Sequence, residues 1–354
     1  MDSPAVFLNK VKPAILRIAL TIAMKARRMV MIYGPPGIGK SSHIHAMAKE
    51  FNMKLIDLRV SQIDSCDLNG FPNLSGEKAD YKPFAMFPLE GDPLPLDENG
   101  KEMSGWILFL DEMNAGEIPT TKASYKVALD RQVGMYNLHE RCLVVAAGNR
   151  EEDNALIEES SEAMVSRQIH LELLSDPDYW LMWANGAALD YRVTGYIERN
   201  PMKLNTFNPA VQNAEMTYPC ERTWHFVSDM LTHSDGDLDN PAVRALIAGC
   251  IGSGPAMDFI NWTKVFNDIP TIQEIVASPE TVNLPDEPGH RFAIAGYISS
   301  HATEYNFEAL LKYVGRLPVE YQVVMFKYLH PRAPDLILLP CSVNWLAEHG
   351  DKIF

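Results

Sequence analysis

The apolar positions of this chain follow two regimes. From residue 29 to residue 173, short apolar runs alternate with stretches of helical spacing. Met29-Val30-Met31-Ile32-Tyr33, Lys54 to Val60, Trp106 to Leu110, Leu143 to Ala147 and Gln168 to Leu173 read as five strands, the third continuous enough to be buried on both faces. Between them, Ser42–Phe51 (Ile44, Met47, Ala48 and Phe51 on one face), Pro119–Asp130 and Ser160–Val165 read as helices, and Val133–Glu140 as a short hairpin. Strands alternating with helices predict an α/β fold: a parallel five-stranded sheet flanked by helices. Ahead of it, Ile15, Ile18, Ala19 and Ile22 form one helical stripe, predicting an amphipathic helix packed beside the sheet.

After Ser175 the pattern turns helical. Tyr179–Ala188, Tyr191–Arg199, Thr223–Thr232, Ala242–Ile251 and Phe307–Val314 carry helical spacing, with loop-like breaks at Pro201–Tyr218 and Ala277–Pro288. The expected organisation is a core at 1–175, a mainly helical lid-like domain at 176–275 and a C-terminal helical extension at 276–354. Within the core, Ser61–Gly105 is rich in glycine and proline. It is too long for a structureless loop and is expected to hold short helices or turns with a role of their own.

The chemistry sits where strands end. Gly34-Pro35-Pro36-Gly37-Ile38-Gly39-Lys40-Ser41 fits G-x-x-x-x-G-K-[ST], between a strand and a helix. That context makes an anion site: loop N–H groups and the helix N-terminus, continuing into Ser42, face phosphates. Gly37 and Gly39 allow the tight turn. Lys40 is placed to reach the β- and γ-phosphates and the Ser41 hydroxyl to bind Mg²⁺. The third strand ends in Asp111-Glu112, at the carboxyl edge where α/β sheets bind ligands. Asp111 is the second candidate for Mg²⁺, and Glu112 the candidate to polarise the attacking water. Asn149, just past the fourth strand, reaches the same edge and could orient that water or touch the γ-phosphate.

Charge and cysteine content narrow the picture. The net charge of −15 argues against non-specific binding to DNA or membranes, which needs a basic surface. Five scattered cysteines without a C-x-x-C pair read as reduced thiols of a cytoplasmic protein. The stretch Ala14–Met24 is interrupted by Arg17 and too short to span a bilayer, so neither a signal peptide nor a membrane anchor is expected.

In series, these motifs resemble an AAA+ ATPase of the MoxR type, in the helix-2-insert branch. Gly34–Ser41 is similar to the family's Walker A. Asp67-Leu68-Asn69-Gly70 resembles the start of its insert, and Asp111-Glu112-Met113-Asn114-Ala115 its Walker B, with Gly116 where an arginine is usual nearby. Pro119–Val133 resembles the helix that follows, Ala147-Gly148-Asn149 sensor 1, and Ala163-Met164-Val165-Ser166-Arg167 the segment bearing an arginine finger. Pro219-Cys220-Glu221-Arg222-Thr223-Trp224 is similar to sensor 2, with Cys220-Glu221 where Ser-Pro is usual. The likeness covers roughly Ala14–Leu231.

The resemblance implies ATP and Mg²⁺ as cofactors and a homo-oligomeric ring, hexameric, with Arg167 acting in trans on a neighbour's ATP and Arg222 contacting the γ-phosphate in cis. Arg131 and Arg150 compete for those two roles. It also implies a protein client, with a von Willebrand A-domain protein as the partner type, and places Met135 and Tyr136 of the hairpin toward a pore. Two other classes stand beside this reading: a nucleic-acid-directed AAA+ motor or restriction-type NTPase, weakened by the charge, and a non-catalytic nucleotide switch, weakened by intact Lys40, Asp111, Glu112 and Asn149.

Overall fold

The computed structural model describes residues 9–75, 80–150, 153, 165–209, 217–234 and 236–349. The chain divides into two compact units, Met1–Ser175 and Asp176–Phe354. The helix expected over Ser160–Val165 lies outside the described residues except for its last position.

The first unit is built on a parallel sheet. Its strands are β1 (Lys10–Val11), β2 (Val30–Tyr33), β3 (Lys54–Arg59), β6 (Trp106–Asp111), β9 (Cys142–Gly148) and β10 (Ile169–Leu173), in the order β1-β10-β2-β9-β6-β3. The expected five strands are present, with a sixth at the edge. The two residues Lys10 and Val11 pair with Glu172 and Leu173, too short a run to carry a periodicity of its own. Alternation assigns each strand's side chains to two cores. Val30, Ile32, Ile107, Phe109, Val145 and Ala147 pack on the face that also buries Ile44 and Met47 of α2 (Lys40–Glu50). Met31, Leu108, Leu110, Val144 and Ala146 pack on the other, with Leu68 of α3 (Ser65–Asn69) and Ala123 of α4 (Ile118–Tyr125). A parallel sheet covered on both sides explains the unbroken apolar runs.

Three local outcomes differ from the periodicity. In α1 (Pro13–Lys25) the buried residues are Pro13, Leu16, Leu20 and Ala23, while Ile15, Ile18 and Ile22 of the predicted stripe stand 52%, 58% and 63% exposed. The helix PAILRIALTIAMK is apolar on both faces, so spacing alone could not select the one that docks. The helix expected to run through Asp130 is α-helical only to Tyr125. A π-helical turn, Lys126–Asp130, completes it, and Arg131 reverses the chain at φ 55°. The long segment after β3 holds α3 and a hairpin of β4 (Phe71–Asn73) and β5 (Asp80–Lys82). The second hairpin, expected over Val133–Glu140, pairs β7 (Gln132–Val133) with β8 (Tyr136–Asn137), leaving Met135 exposed at its turn.

The second unit is helical among the described residues. Helices from Pro177–Gly186 to Ser253–Thr263 bury Trp180, Tyr196, Trp224 and Phe259 in one core. Helices from Ile272–Ala277 to Pro340–His349 bury Ile294, Phe307, Tyr313 and Phe326 in a second. Tyr191 joins the two through ring contacts with Phe266 and Tyr297. Side-chain oxygens of Asp176, Asp190, Asn240 and Thr271 cap their helices. No described helix is long and apolar enough to cross a membrane.

The docking face of α1 gives a direct test. Leu20→Ala should cost about 2–5 kcal/mol by opening a cavity beside the sheet. Ile18→Ala should stay within about 0.5 kcal/mol, as surface positions do. Urea unfolding of the two variants distinguishes this face from the Ile15–Ile22 stripe.

Candidate active site

The three central strands β2, β9 and β6 run parallel, so their carboxyl ends share one edge. Tyr33 lies opposite Gly148, and Leu110 opposite Ala146. The chain leaving each end therefore delivers the phosphate-loop motif, Asn149 and Asp111-Glu112 to one place.

The loop after β2 turns on Gly37 and Gly39, at φ 80° and 94°, values that side-chain-bearing residues rarely adopt. Gly39 is the N-cap of α2, and no side chain caps that helix end. The N–H groups of its first turn are thus left to a ligand, with the helix dipole favouring an anion. Gly34 passes close to β10: a Cβ there would come within 3.2 Å of the Leu173 carbonyl oxygen.

Lys40 is buried and points back into the loop. Its Nζ donates to the carbonyl oxygens of Gly34 (2.6 Å) and Pro35 (3.1 Å) and to Oδ1 of Asn149 (3.1 Å). Ser41 Oγ donates to Asp111 Oδ2 at 2.7 Å, and the other Asp111 oxygen accepts from the Glu112 backbone N–H at 2.9 Å. A hydroxyl oxygen and a buried carboxylate in contact make a hard-oxygen pair suited to Mg²⁺. Glu112 itself sits at φ 52°, a left-handed conformation that costs roughly 1–2 kcal/mol. Such strain at a ligand edge is where function often lies.

Two polar residues complete this edge without having been marked as site residues. The Ser61 hydroxyl, in the turn after β3, donates to Glu112 Oε2. Asn114 Nδ2 donates to the Asn149 carbonyl oxygen at 2.8 Å, while its buried Oδ1 has no partner among the described residues. Asn114 lies within the quoted Walker B stretch, but nothing in spacing shows that it reaches across to β9. Ser61 carries no motif; only its place past a strand end could have singled it out.

The arginines separate. Arg150 is held by Asp153 (2.7 Å) and Glu172 (2.9 Å), and Glu172 also pairs with Lys10 (3.0 Å). Arg131 donates to the carbonyl oxygens of His139 (2.9 Å) and Cys142 (2.7 Å). Both are occupied in holding their own unit together. Arg167 is exposed just before β10, at the sheet edge opposite the phosphate loop. Arg222 is exposed in the first turn of the helix Glu221–Thr232, in the second unit.

Strand, glycine loop, helix and paired acidic strand end define a P-loop NTPase domain. Comparison places it more closely. Residues 30–168 match the family described as ATPase family associated with various cellular activities (AAA), so the first unit carries an AAA-family ATPase domain. Nucleotide binding and ATP hydrolysis are general to that family.

Among curated proteins, the chain is similar to replication factor C large subunits. It is 45% identical over 40 residues to that of Pyrobaculum calidifontis and 47% over 38 residues to that of Thermofilum pendens. These matches cover 11% of this chain and span only about a tenth of each relative's length. Among solved structures, it is similar to the RuvB Holliday junction branch migration motor of Thermotoga maritima: 17% identity, TM-score 0.35, 75% of this chain and 73% of that one. NtrX from Brucella abortus in complex with ADP aligns over 95% of this chain and 68% of its own, at 15% identity and TM-score 0.38.

One glycine tests the edge's packing. A Cβ at Gly148 would lie 2.1 Å from Asn114 Oδ1 and 2.6 Å from the Met31 side chain. Gly148→Ala should destabilise by about 1–3 kcal/mol through overpacking. In the helix Pro241–Ile251, a Cβ at Gly249 meets nothing within 4 Å, so Gly249→Ala should stabilise by about 0.5–1 kcal/mol. Thermal and urea unfolding check both signs.

Proposed function

We propose that this chain is an ATP hydrolase that assembles into a hexameric ring, acts with Mg²⁺ at the subunit interfaces, and uses turnover to remodel or assemble a protein partner, as MoxR-like ATPases do. The observation that carries the reading is the convergence of Lys40, the Ser41–Asp111 pair, Glu112 and Asn149 on one sheet edge.

In this reading the loop Gly34–Ser42 wraps the phosphates with its N–H groups. Lys40 leaves the Gly34 and Pro35 carbonyls for the β- and γ-phosphate oxygens, an exchange of neutral acceptors for charged ones that strengthens each hydrogen bond. Ser41 and Asp111 would hold Mg²⁺, which neutralises charge on the phosphates when bound. Asn149, freed from Lys40, orients the attacking water, and Glu112 accepts hydrogen-bonding from it. Ser61 restrains Glu112, so its carboxylate must exchange that hydroxyl for water before acting. Arg167 completes the site in trans and Arg222 in cis. An arginine near a helix N-terminus opposes the helix dipole, so Arg222 stands where helix stability does not ask for it. The hairpin tip Met135-Tyr136 offers exposed apolar side chains to a client chain. A client with a von Willebrand A-type domain follows from the sequence resemblance alone.

A nucleic-acid-directed motor is the second reading. The charge of −15 opposes it, since affinity for phosphodiester chains rests on neutralising cations. Hydrolysis stimulated by DNA at moderate salt, and not by protein clients, would replace the first reading with the second.

Two substitutions test the chemistry. Lys40→Ala should abolish nucleotide binding in calorimetry; tight ATP binding by that variant would remove Lys40 from the site. Glu112→Gln keeps shape but removes the basic carboxylate. It should bind ATP near normally and lose about 10²-fold or more in turnover. A trapped Glu112→Gln ring is also the form with which to capture a client.

A further inference from the structure

A small pocket of about 60 Å³ opens at the end of the sheet opposite the phosphate loop, and four guanidinium-bearing residues line it: Arg27, Arg28, Arg131 and Arg167. Two have partners. Arg131 is tied to two carbonyl oxygens, and Arg27 lies 3.8 Å from Glu140. The guanidinium groups of Arg28 and Arg167 make no hydrogen bond or ion pair with any described residue. Their meeting follows from the strand register. β10 pairs with β2 so that Ile169 lies opposite Val30, and each arginine stands two residues before that pair, at neighbouring strand starts.

Unpaired like charges lining one pocket repel each other, and the repulsion is relieved when an anion enters. The anion is not the chain's own nucleotide. From Arg28 to Gly34 the backbone advances six residues, largely extended, or roughly 20 Å. An arginine side chain cannot span that. A chain of net charge −15 that nevertheless groups cations at this pole presents them to something outside. The helix that leads into Arg27 and Arg28, α1, also exposes the apolar row Ile15, Ile18 and Ile22 along its length. Apolar surface and unpaired charge together are what a protein neighbour covers.

We propose that Arg28 and Arg167 act as one pair, gripping the terminal phosphate oxygens of a nucleotide held by a second copy of this chain. The inference rests on the ring-ATPase reading and adds Arg28, which carries no motif, to the site. Two guanidiniums can each donate to a different oxygen of the transferring phosphoryl group. Their stabilisation grows as charge builds there, so it falls on turnover more than on binding.

The test separates this pair from the reading beneath it. Arg28→Gln should fold, assemble and bind ATP within about twofold of the unmodified chain, while kcat falls about tenfold or more; Arg28→Lys should recover part of the loss because the charge remains. Arg167→Ala should lose more. To locate the action, Arg28→Gln and Lys40→Ala chains are co-expressed with different tags, and doubly tagged rings are purified. The Lys40→Ala subunits cannot hydrolyse but supply an intact Arg28, so activity per competent subunit should exceed that of uniform Arg28→Gln rings at least threefold.

Slow Arg167→Ala with unaltered Arg28→Gln would overturn the pair and leave the ring reading standing. Slow Arg28→Gln without recovery in mixed rings would overturn the action in trans. Full-rate hydrolysis by Arg167→Ala and Arg28→Gln alike would overturn both the pair and the reading on which it rests.

Discussion

Everything at the candidate site depends on three neighbouring strands running parallel in register. Tyr33 opposite Gly148 and Leu110 opposite Ala146 set the carboxyl ends of β2, β9 and β6 level. Loops anchored there need no long excursion to meet. The pairing is secured by burial on both faces, since Ile107 and Phe109 pack one way and Leu108 and Leu110 the other. Slipping one strand by one residue would send each of those side chains into the wrong core. The apolar sequence that stabilises the sheet therefore also fixes the position of Lys40, Asp111 and Asn149 relative to each other. Gly148 belongs to the same constraint: only a residue without a Cβ lets Asn114 cross beneath β9 to hold the Asn149 carbonyl.

Apart from Asn114 Oδ1, the polar side chains named on that edge bond to one another or to its backbone. Lys40 donates to two carbonyls and an amide oxygen, all uncharged. Hydrogen bonds from an ammonium to neutral acceptors are weaker than those to charged ones, so phosphate oxygens can displace these acceptors. Asn149 is linked at two points, to Lys40 through its side chain and to Asn114 through its backbone. Moving Lys40 releases the Asn149 amide while the Asn114 contact still holds the backbone in place. Ser61 and Glu112 form a second such link, between the turn after β3 and the strand end of β6. Through it, displacement of the segment after β3 reaches the acid at the site directly.

How much of this could be read from the sequence follows from how local each cause is. The glycine loop, Asp111-Glu112 and Asn149 were legible because strand, turn chemistry and helix start are written in consecutive residues. The face of α1 was not, because Ile15-Ile18-Ile22 and Leu16-Leu20-Ala23 are both helical rows, and the choice is made by the core they meet. β1 is two residues long and exists only through its pairing with β10. Ser61 and Asn114 became visible only when chain separations of 51 and 35 residues closed into hydrogen bonds. The same limit governs the arginines. In sequence, Arg131 and Arg150 competed with Arg167; partners 3 to 22 residues away engage the first two.

The distribution of charge then has a direction. The phosphate-loop edge of the first unit holds the buried Lys40 together with Asp111 and Glu112. The opposite pole holds Arg27, Arg28, Arg131 and Arg167 with Glu140 as a distant counterion. A nucleotide bound at the first edge would make that end strongly anionic, and the second pole is then its electrostatic complement. In a head-to-tail arrangement the two surfaces differ, so the contact is heterologous and closes into a ring when the rotation allows. The alternative, a two-fold dimer, would bring like poles together, arginine against arginine or nucleotide against nucleotide, and would pay the repulsion that the polar arrangement avoids. Within the proposed ring, the asymmetry of the unit thus favours a cyclic contact over two-fold pairing.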